Sequence, residues 1–367
     1  MSVELDMLRE SARRLIAEAK PTHWSTRDID GRSDADLWRG IVSSGWLLAG
    51  LDEDLGGFGP GAQEAVVIAG EVGRGLLREP VLANLVAIRL LADLLPFGAD
   101  HAVLDAILAG RCRAAFAYAE PGHGFDWERP RTACVPVEGG WRLDGLKQVV
   151  LGAGDADVIL VTASDAAGEA CVALVPAGAE SVRIVPYPLV GGAGAADVRF
   201  DAVRLTEARV IRGKGVADAI ARAVDIGALL ASAEAVGAMT QAFEQTLAYV
   251  KERVQFGQPI GSNQAIQHRL VDMLSLVKEA EILLADAAAL MTADDWARGL
   301  AVSALRIHVA DAARHIGKEA VQMHGAIGTT DEAAISHYFR RLIALGTIFG
   351  DAEFHRGRFA ALQEGDR

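Results

Sequence analysis

The strongest constraint on the fold is a continuous helical pattern in the last third of the chain. Apolar residues recur there at spacings of 3, 4, 4, 3 and 4, which places them on one face of a single α-helix. They are Val236, Met239, Phe243, Leu247, Val250 and Val254. Helical patterns run from Gly213 to about Leu362, so this part of the chain predicts a bundle of long helices.

Two different patterns precede this helical region. From Val3 to about Cys112 the apolar spacing is also helical. Between Ala114 and Ile211 it changes to short β-type runs separated by turn residues, typical of an antiparallel barrel or sandwich. These runs cover residues 114–119, 141–143, 158–162, 171–175, 182–185 and 198–200. We therefore predict an α+β protein with an N-terminal all-α domain (1–112), a middle β domain (113–212) and a C-terminal helical bundle domain (213–367).

Composition argues against several classes of protein. The net charge of −13 disfavours binding to nucleic acid, whose phosphates require a basic surface. No apolar run reaches the roughly 18 residues that a membrane-spanning helix needs. The three cysteines have no paired or metal-ligand spacing, and His308 and His315 lack an acidic partner at such a spacing. We predict a cytoplasmic protein that binds neither nucleic acid nor a membrane and has no metal site.

Two glycine-containing motifs stand out in the C-terminal part. Residues 253–261 read Arg-Val-Gln-Phe-Gly-Gln-Pro-Ile-Gly and lead into Gln264. Residues 322–328 read Gln-Met-His-Gly-Ala-Ile-Gly. The order and spacing of these motifs resemble those of the acyl-CoA dehydrogenase family, and the resemblance covers essentially the whole chain. It implies an N-terminal helical domain, a middle β-barrel or sandwich domain and a C-terminal four-helix bundle.

The resemblance also implies FAD as the cofactor. In the family, the matching Arg, Phe and Gln side chains reach across a subunit interface to the FAD of a neighbouring protomer. A guanidinium can bind pyrophosphate in a bidentate way, and glycines let the backbone approach it closely. A lone arginine at a helix C-terminus usually only complements the helix dipole. Because the other residues of both motifs accompany Arg253, we favour a role in binding phosphate. The implied cofactor-binding residues are Arg253, Phe256, Gln264, Gln322, Gly325 and Gly328.

The positions that would hold the protomer's own flavin differ from the family pattern. The family has a Thr just before Glu-Pro-Gly and a Ser shortly after it, and Ala119 and Phe125 stand there in this chain. A Trp beside the isoalloxazine and a Thr bonded to its N5 edge correspond to Val149 and Leu151. Because these side chains cannot supply the polar contacts that tune a flavin, we expect the protomer to hold its own flavin poorly or not at all.

The residues for proton abstraction are missing as well. Most family members place a Glu 21 residues after the last glycine of the second motif, and counting from Gly328 leads to Phe349. Others place it on the helix before the first motif, where Gly227 and Ala228 replace the Glu and its neighbouring Arg. Neither Phe nor Gly can abstract the α proton of an acyl-CoA. Three nearby carboxylates are interpreted as solvated or structural groups, namely Asp351, Glu353 and Glu234.

These differences predict a non-catalytic subunit of a heteromeric acyl-CoA dehydrogenase, arranged as α2β2. It resembles the heterotetrameric enzymes of bacterial steroid and cholesterol side-chain breakdown. A homologous partner would carry the Glu, bind the acyl-CoA and desaturate its α,β bond, with electrons passing to an electron-transferring flavoprotein. Three alternatives stay open: a homotetrameric dehydrogenase with Asp351 or Glu353 as the base, a flavin-dependent monooxygenase or oxidase on the same fold, and a structural homologue without flavin.

Overall fold

The computed structural model describes residues 3–18, 34–59 and 61–365, and the other positions of the predicted first and last domains lie outside the described residues. Five α-helices form the N-terminal part. They are α1 (Val3–Glu18), α2 (Ala35–Ser43), α3 (Gln63–Arg74), α4 (Val81–Leu94) and α5 (His101–Leu108). The side chain of Asp34 caps α2, and that of Asp100 caps α5, because each carboxylate accepts from backbone N–H groups in the first turn.

An eight-stranded sheet follows these helices. Its strands are β1 (Ala114–Ala117), β2 (Ala133–Val137), β3 (Gly140–Leu151), β4 (Val158–Ser164), β5 (Ala170–Pro176), β6 (Val182–Pro188), β7 (Gly194–Leu205) and β8 (Val210–Ile211). They lie in the order β6-β7-β3-β2-β4-β5-β8, with β1 also paired to β4. Most pairs are antiparallel, as predicted, but β1 and β2 each run parallel to β4. The sequence pattern misses β2, which Pro136 interrupts, and β8, which has only two residues.

The C-terminal part is helical, as predicted, and consists of three long helices and two short ones. They are α6 (Val216–Glu252), α7 (Gln264–Ala289), α8 (Asp295–His324), α9 (Ala334–Leu345) and α10 (Ala352–Glu364). The prediction that the first of these helices extends through Val254 is wrong, because α6 ends at Glu252. Arg253 adopts an extended conformation, and the chain then turns back as a hairpin of β9 (Val254–Gln255) and β10 (Gln258–Pro259).

The helix α6 is the central element of the molecule. Its residues 223–236 are all buried, because α3, α4, α8 and α9 pack around it. Only the last part, towards Glu252, shows the amphipathic pattern read from the sequence. One hydrophobic core joins the two helical parts through α6, and a second core lies inside the sheet. This position lets α6 run from the middle of the protein to its surface.

Glycines bring α3 and α6 into backbone contact. A Cβ atom on Gly73 would lie 1.8 Å from the carbonyl oxygen of Glu234, and one on Gly237 would lie 1.8 Å from that of Gly70. Only glycine allows two helices to approach this closely. The contact fixes the N-terminal helices against the middle of α6.

Candidate functional site

The first motif forms an exposed hairpin after α6. Phe256 and Gly257 make the two-residue turn between β9 and β10, with φ angles of 51° and 82°. Positive φ at both central residues is the geometry of a type I′ turn, which matches the twist of the flanking strands. The turn presents the Phe256 side chain fully to solvent. A large aromatic side chain is thus held in a defined position without packing against its own chain.

Arg253 lies at the point where α6 ends and the hairpin begins. Its backbone N–H donates to the carbonyl oxygen of Tyr249 at 2.8 Å, and its carbonyl oxygen accepts from Ile260 at 2.8 Å. These two bonds position the residue, while its side chain is exposed and has no hydrogen bond or ion pair to a described residue. The guanidinium is therefore free to bind an anion outside this chain.

The second motif lies beside the first. Gln322 is exposed near the end of α8, and Gly325 follows that helix with a φ of 67°. The ring of His324 stacks on that of Tyr249 with centroids 4.3 Å apart, and the Tyr249 hydroxyl donates to the carbonyl oxygen of His324 at 3.4 Å. Because Arg253 follows Tyr249 by one helical turn, this stack joins the two motifs. The sequence analysis did not identify either aromatic residue.

The two remaining predicted cofactor residues have different environments. Gln264 is exposed at the first position of α7, where Asn263 caps the helix by accepting from Ala265 at 2.9 Å. Gly328 is buried, and a Cβ there would lie 2.8 Å from the carbonyl oxygen of Val321. Gly328 therefore shapes the turn after α8, whereas Gln264 has a side chain available for contacts outside the chain.

A second site is a cavity of about 490 Å³ between the sheet and the C-terminal helices. The structure brings to it five positions that the sequence analysis identified as altered, which are Ala119, Phe125, Val149, Leu151 and Phe349. Other lining residues come from α4 and α9, including Ala83 and Ala344. Positions separated by up to 230 residues in sequence therefore form one site, in which the expected polar groups are replaced by apolar ones.

The backbone at Val149 is strained. Its φ is 52°, a region that β-branched residues rarely adopt, and the pairing of β3 with β7 shifts register between Lys147 and Val150. The Val149 N–H donates at 3.2 Å to the Tyr187 hydroxyl and also to Asp197 Oδ1. Such strain persists only where the surrounding structure enforces it. The bulge presents a side chain to the cavity, but that side chain is only an isopropyl group.

A buried ion pair supports the strands next to Ala119. Lys147 Nζ donates to Glu120 Oε1 at 2.7 Å and to the carbonyl oxygen of Tyr118 at 3.1 Å. Glu120 also accepts from Thr132 Oγ1 at 2.7 Å. Burial lowers the pKa of Lys147 to about 8, and the Glu120 carboxylate opposes the shift. The pair is fully hydrogen-bonded, which is what a buried charge requires.

The two positions that the sequence analysis matched to the family's base, Phe349 and Gly227, contact each other. Phe349 is buried, and its ring covers Gly227 so closely that a Cβ there would lie 2.4 Å from the ring atom Cε1. The ring also stacks on Tyr118 with centroids 5.5 Å apart. The aromatic ring of Phe349 thus fills this space and requires glycine at position 227.

The buried side chains of Arg306 and His355 hold the loop that carries Phe349. Arg306 Nη2 donates to the carbonyl oxygens of Leu345, Ile348 and Gly350 at 3.1, 2.8 and 2.7 Å. Burial lowers the pKa of Arg306 to about 10. His355 Nε2 lies 3.0 Å from the carbonyl oxygen of Phe349, so this nitrogen carries the proton and donates it. The loop therefore has a defined conformation.

Of the three carboxylates considered as replacement bases, two have structural roles and the third is exposed to solvent. Asp351 caps α10 by accepting from the N–H of Phe354 at 2.8 Å, and Glu353 is exposed. Glu234 is buried and accepts from Arg341 Nε at 2.6 Å. Burial raises the pKa of Glu234, and Arg341 opposes the shift. No Asp or Glu from the described residues lines the cavity.

The cavity and the exposed hairpin are far apart. Gly227 lies at the cavity and Glu252 at the hairpin, and the 25 residues of α6 between them rise about 38 Å. The two sites are thus far apart along one helix, the cavity near its buried middle and the hairpin at its C-terminal end. Over the described ranges, we find neither a helix long and apolar enough to cross a membrane nor a cluster of three metal-ligating side chains.

The fold and both sites define a class of protein. Three family models match the chain in order: the N-terminal domain of acyl-CoA dehydrogenase at residues 2–101, the middle domain at 115–203 and the C-terminal domain at 213–362. The chain belongs to the acyl-CoA dehydrogenase family, which consists of oxidoreductases that act on CH–CH bonds and use FAD. The family resemblance and the three-part α+β fold predicted from the sequence are confirmed.

Comparisons with individual proteins agree with this assignment. Acyl-CoA dehydrogenase FadE34 of Mycobacterium tuberculosis is 27% identical over 99% of this chain and 48% of its own length, so the chain spans about half of that relative. A variant of the Tcur3481-Tcur3483 steroid ACAD has a TM-score of 0.88 at 27% identity and covers 99% of this chain and 98% of its own. The ChsE4-ChsE5 complex from Mycobacterium tuberculosis shares the fold, with a TM-score of 0.87 at 24% identity over 99% and 98% of the two chains.

The two sites differ in how well they fit FAD. The hairpin end offers an unpaired guanidinium, an exposed aromatic ring and a glycine turn, which suit a pyrophosphate and an adenine. The cavity offers Ala119, Phe125, Val149 and Leu151 where an isoalloxazine needs hydrogen-bonding partners. The residues of this chain therefore fit one end of an FAD molecule and not the other.

Proposed function

We propose that this chain is the non-catalytic subunit of a heteromeric FAD-dependent acyl-CoA dehydrogenase. Its hairpin at Arg253 and its turn at Gly325 contact the pyrophosphate and adenine of an FAD that a homologous partner holds. The partner contributes the Glu base, the thioester pocket and most of the isoalloxazine site. When bound, FAD supplies the acceptor for the β hydride of an acyl-CoA. This chain binds and orients the cofactor but moves no proton.

The observation that carries this proposal is the separation of the two sites along α6. The rise of about 38 Å between Gly227 and Glu252 is longer than an extended FAD molecule. One flavin therefore cannot contact both the cavity and the hairpin of the same chain. The cofactor that Arg253 contacts must have its isoalloxazine in another chain.

The exposure of the hairpin end supports a contact between subunits. Phe256 is fully exposed in a strained turn, and Arg253 has no partner among the described residues. Arginine and aromatic side chains are enriched where protein surfaces become buried in complexes. An assembly that covers these residues would bury the Phe256 ring and pair the Arg253 charge.

The state of the cavity supports the non-catalytic role. Phe349 occupies the usual position of the base, its ring requires Gly227 at the alternative position, and no carboxylate from the described residues lines the cavity. Abstraction of the α proton requires a base within hydrogen-bonding reach of that carbon. None of the described residues that line the cavity carries a carboxylate for this step.

The proposed assembly is an α2β2 heterotetramer with acyl-CoA in the site of the partner. The likeness to a structure titled a steroid ACAD supports a CoA thioester of a steroid or its side chain as the substrate. As in the family that the motifs resemble, an electron-transferring flavoprotein is the proposed electron acceptor. Such a complex should contain half as many FAD molecules as chains.

Coexpression with a homologous acyl-CoA dehydrogenase that carries the Glu tests the proposal. We expect a yellow complex with one FAD for each pair of chains, and bleaching of its visible spectrum by an acyl-CoA. A partner with its base Glu replaced by Gln serves as the control, because it should give a yellow complex without turnover. The proposal is wrong if the isolated chain binds a full complement of FAD and dehydrogenates a thioester.

A further inference from the structure

We propose that the cavity next to Phe349 binds an uncharged, largely hydrocarbon molecule of steroid or long-alkyl size, which this chain holds without changing it chemically. The inference rests on the proposed function, because a working flavin site would need the same space. The cavity, which lacks polar partners for a flavin, is thereby assigned a ligand other than FAD.

The charge of the ligand follows from the lining of the cavity. Of the described side chains that line it, none is charged at neutral pH, and only Tyr118, Gln148 and Thr347 are polar. A carboxylate or phosphate that entered would lose its hydration and find no opposite charge. The part of the ligand inside the cavity must therefore be neutral, and any phosphate or carboxylate group would have to remain in solvent outside it.

The apolar character and the size of the ligand follow from the residues that line the cavity. The rings of Phe116, Tyr118 and Phe349 form a stack, with successive centroids 5.4 and 5.5 Å apart. Ala83 and Val86 of α4 also line the cavity, and their small side chains leave it open. A volume of about 490 Å³ lies within the usual range of about 300–1,000 Å³ for small-molecule sites. Apolar surface on this scale favours a hydrocarbon over water.

The walls are held in place without a ligand. Arg306 fixes the loop of Phe349 through three carbonyl oxygens, and Tyr187 and Asp197 fix the backbone of Val149. A preformed site costs a ligand little ordering entropy. The rim is apolar and accessible, since Val149 is 43% and Val190 60% exposed. A ligand can therefore enter from solvent without unfolding the loop.

Titration of the full chain, with any chain that copurifies, by the uncharged fluorescent probe N-phenylnaphthylamine tests the inference. We expect saturable binding at one site per chain. Displacement by testosterone indicates a steroid ligand, and displacement by hexadecanol indicates an alkyl ligand, with either result supporting the shared chemistry.

Ala344→Phe fills the cavity and should weaken probe binding at least about tenfold. Ala360→Phe, on the exposed face of α10, should leave it unchanged.

Thr347→Phe provides a second filling variant, because Thr347 lines the cavity but is exposed enough to accept a ring without disturbing the fold. The inference fails if probe binding does not saturate, or if it saturates equally in both filled variants and the parent. Displacement of the probe by FAD from the isolated chain would instead overturn the proposed function. Absence of saturable probe binding, with FAD also not bound, would overturn only the ligand assignment.

Discussion

At the scale of single residues, the contact between Phe349 and Gly227 explains two substitutions at once. The ring leaves no space for a Cβ at Gly227, so a Glu at that position is sterically excluded while Phe349 is present. The sequence predicted each substitution separately, by counting from a motif. It could not show that they depend on each other, because the two residues are 122 positions apart and meet only when α6 packs against the loop after α9.

Replacement of Phe349 by Glu is not expected to create a dehydrogenase. The new carboxylate would lie at the usual position of the base, but Ala119, Val149 and Leu151 would still leave an isoalloxazine without polar contacts. Reduction of an artificial electron acceptor by an acyl-CoA measures the outcome, with Phe349→Gln as the matched control. Robust turnover by Phe349→Glu alone would show that the cavity is a complete flavin site.

His355 predicts a dependence of stability on pH. Burial and the nearby charges of Arg306 and Arg358 lower its pKa to about 3 from a usual value of 6.5, while the Phe349 carbonyl oxygen and Asp351 oppose the shift. Between these pH values the unfolded chain binds more protons than the folded chain, so the free energy of unfolding falls as pH falls from 6.5 towards 3.

The variant His355→Gln should remove this contribution, which is up to about 1.4 kcal/mol for each pH unit. Urea unfolding at several pH values from about 6.5 to about 5 measures the difference in slope between parent and variant, so that carboxylate titrations common to both cancel. The same change at exposed His101 should leave the slope unaltered. Equal slopes for the parent and His355→Gln would contradict the assignment.

At the scale of elements, α6 determines how the parts of the molecule are arranged. The sequence predicted a long helix here from its spacing, and the helix is present. Its C-terminal boundary was misplaced because Val254 continues the apolar period, although it lies in β9. Periodicity reports which residues could share a face, but the hydrogen bonds of the hairpin decide where the helix stops. The burial of residues 223–236 on all sides likewise depends on neighbours that no local pattern reveals.

The contact between α3 and α6 leads to a prediction about glycines one helical turn apart. Gly73→Ala would place a Cβ 1.8 Å from the Glu234 carbonyl oxygen, and we expect it to lower the free energy of unfolding by about 3 kcal/mol because the two backbones must separate. Gly70→Ala is the matched control, since its Cβ would lie 3.7 Å from the nearest atom. It should be neutral or stabilising by up to about 1 kcal/mol. Similar urea midpoints for the two variants would contradict this account of the interface.

At the scale of the whole molecule, the cavity and the hairpin lie about 38 Å apart along α6. The hairpin end carries the residues that the sequence analysis matched to cofactor contacts in trans, and the cavity end carries apolar residues at the positions that it matched to a protomer's own flavin site. Under the proposed function, this chain contributes to catalysis in an assembly that brings its hairpin to the FAD of a homologous partner. The symmetry of a closed oligomer allows this arrangement.

Removal of the Arg253 guanidinium should weaken FAD binding by the complex but not the stability of the chain. A charge-assisted contact contributes about 1.5–3 kcal/mol, so Arg253→Ala should raise the dissociation constant for FAD roughly tenfold to hundredfold. Flavin absorbance after gel filtration of the complex measures retention. Arg183→Ala, at an exposed position on β6, is the control. Unchanged flavin occupancy in Arg253→Ala would count against contact with a cofactor in the partner.

The sequence alone determined the order of helical, β and helical parts and the family, and it predicted which positions are altered, because periodicity and motifs are local properties of the chain. Only the tertiary structure decided that five altered positions line one cavity, that the ring of Phe349 excludes a side chain at Gly227, and that Tyr249 and His324 join the two motifs. These relations depend on how α6, α8 and the sheet pack over distances of many residues, and packing geometry is a property of the assembled fold rather than of any segment.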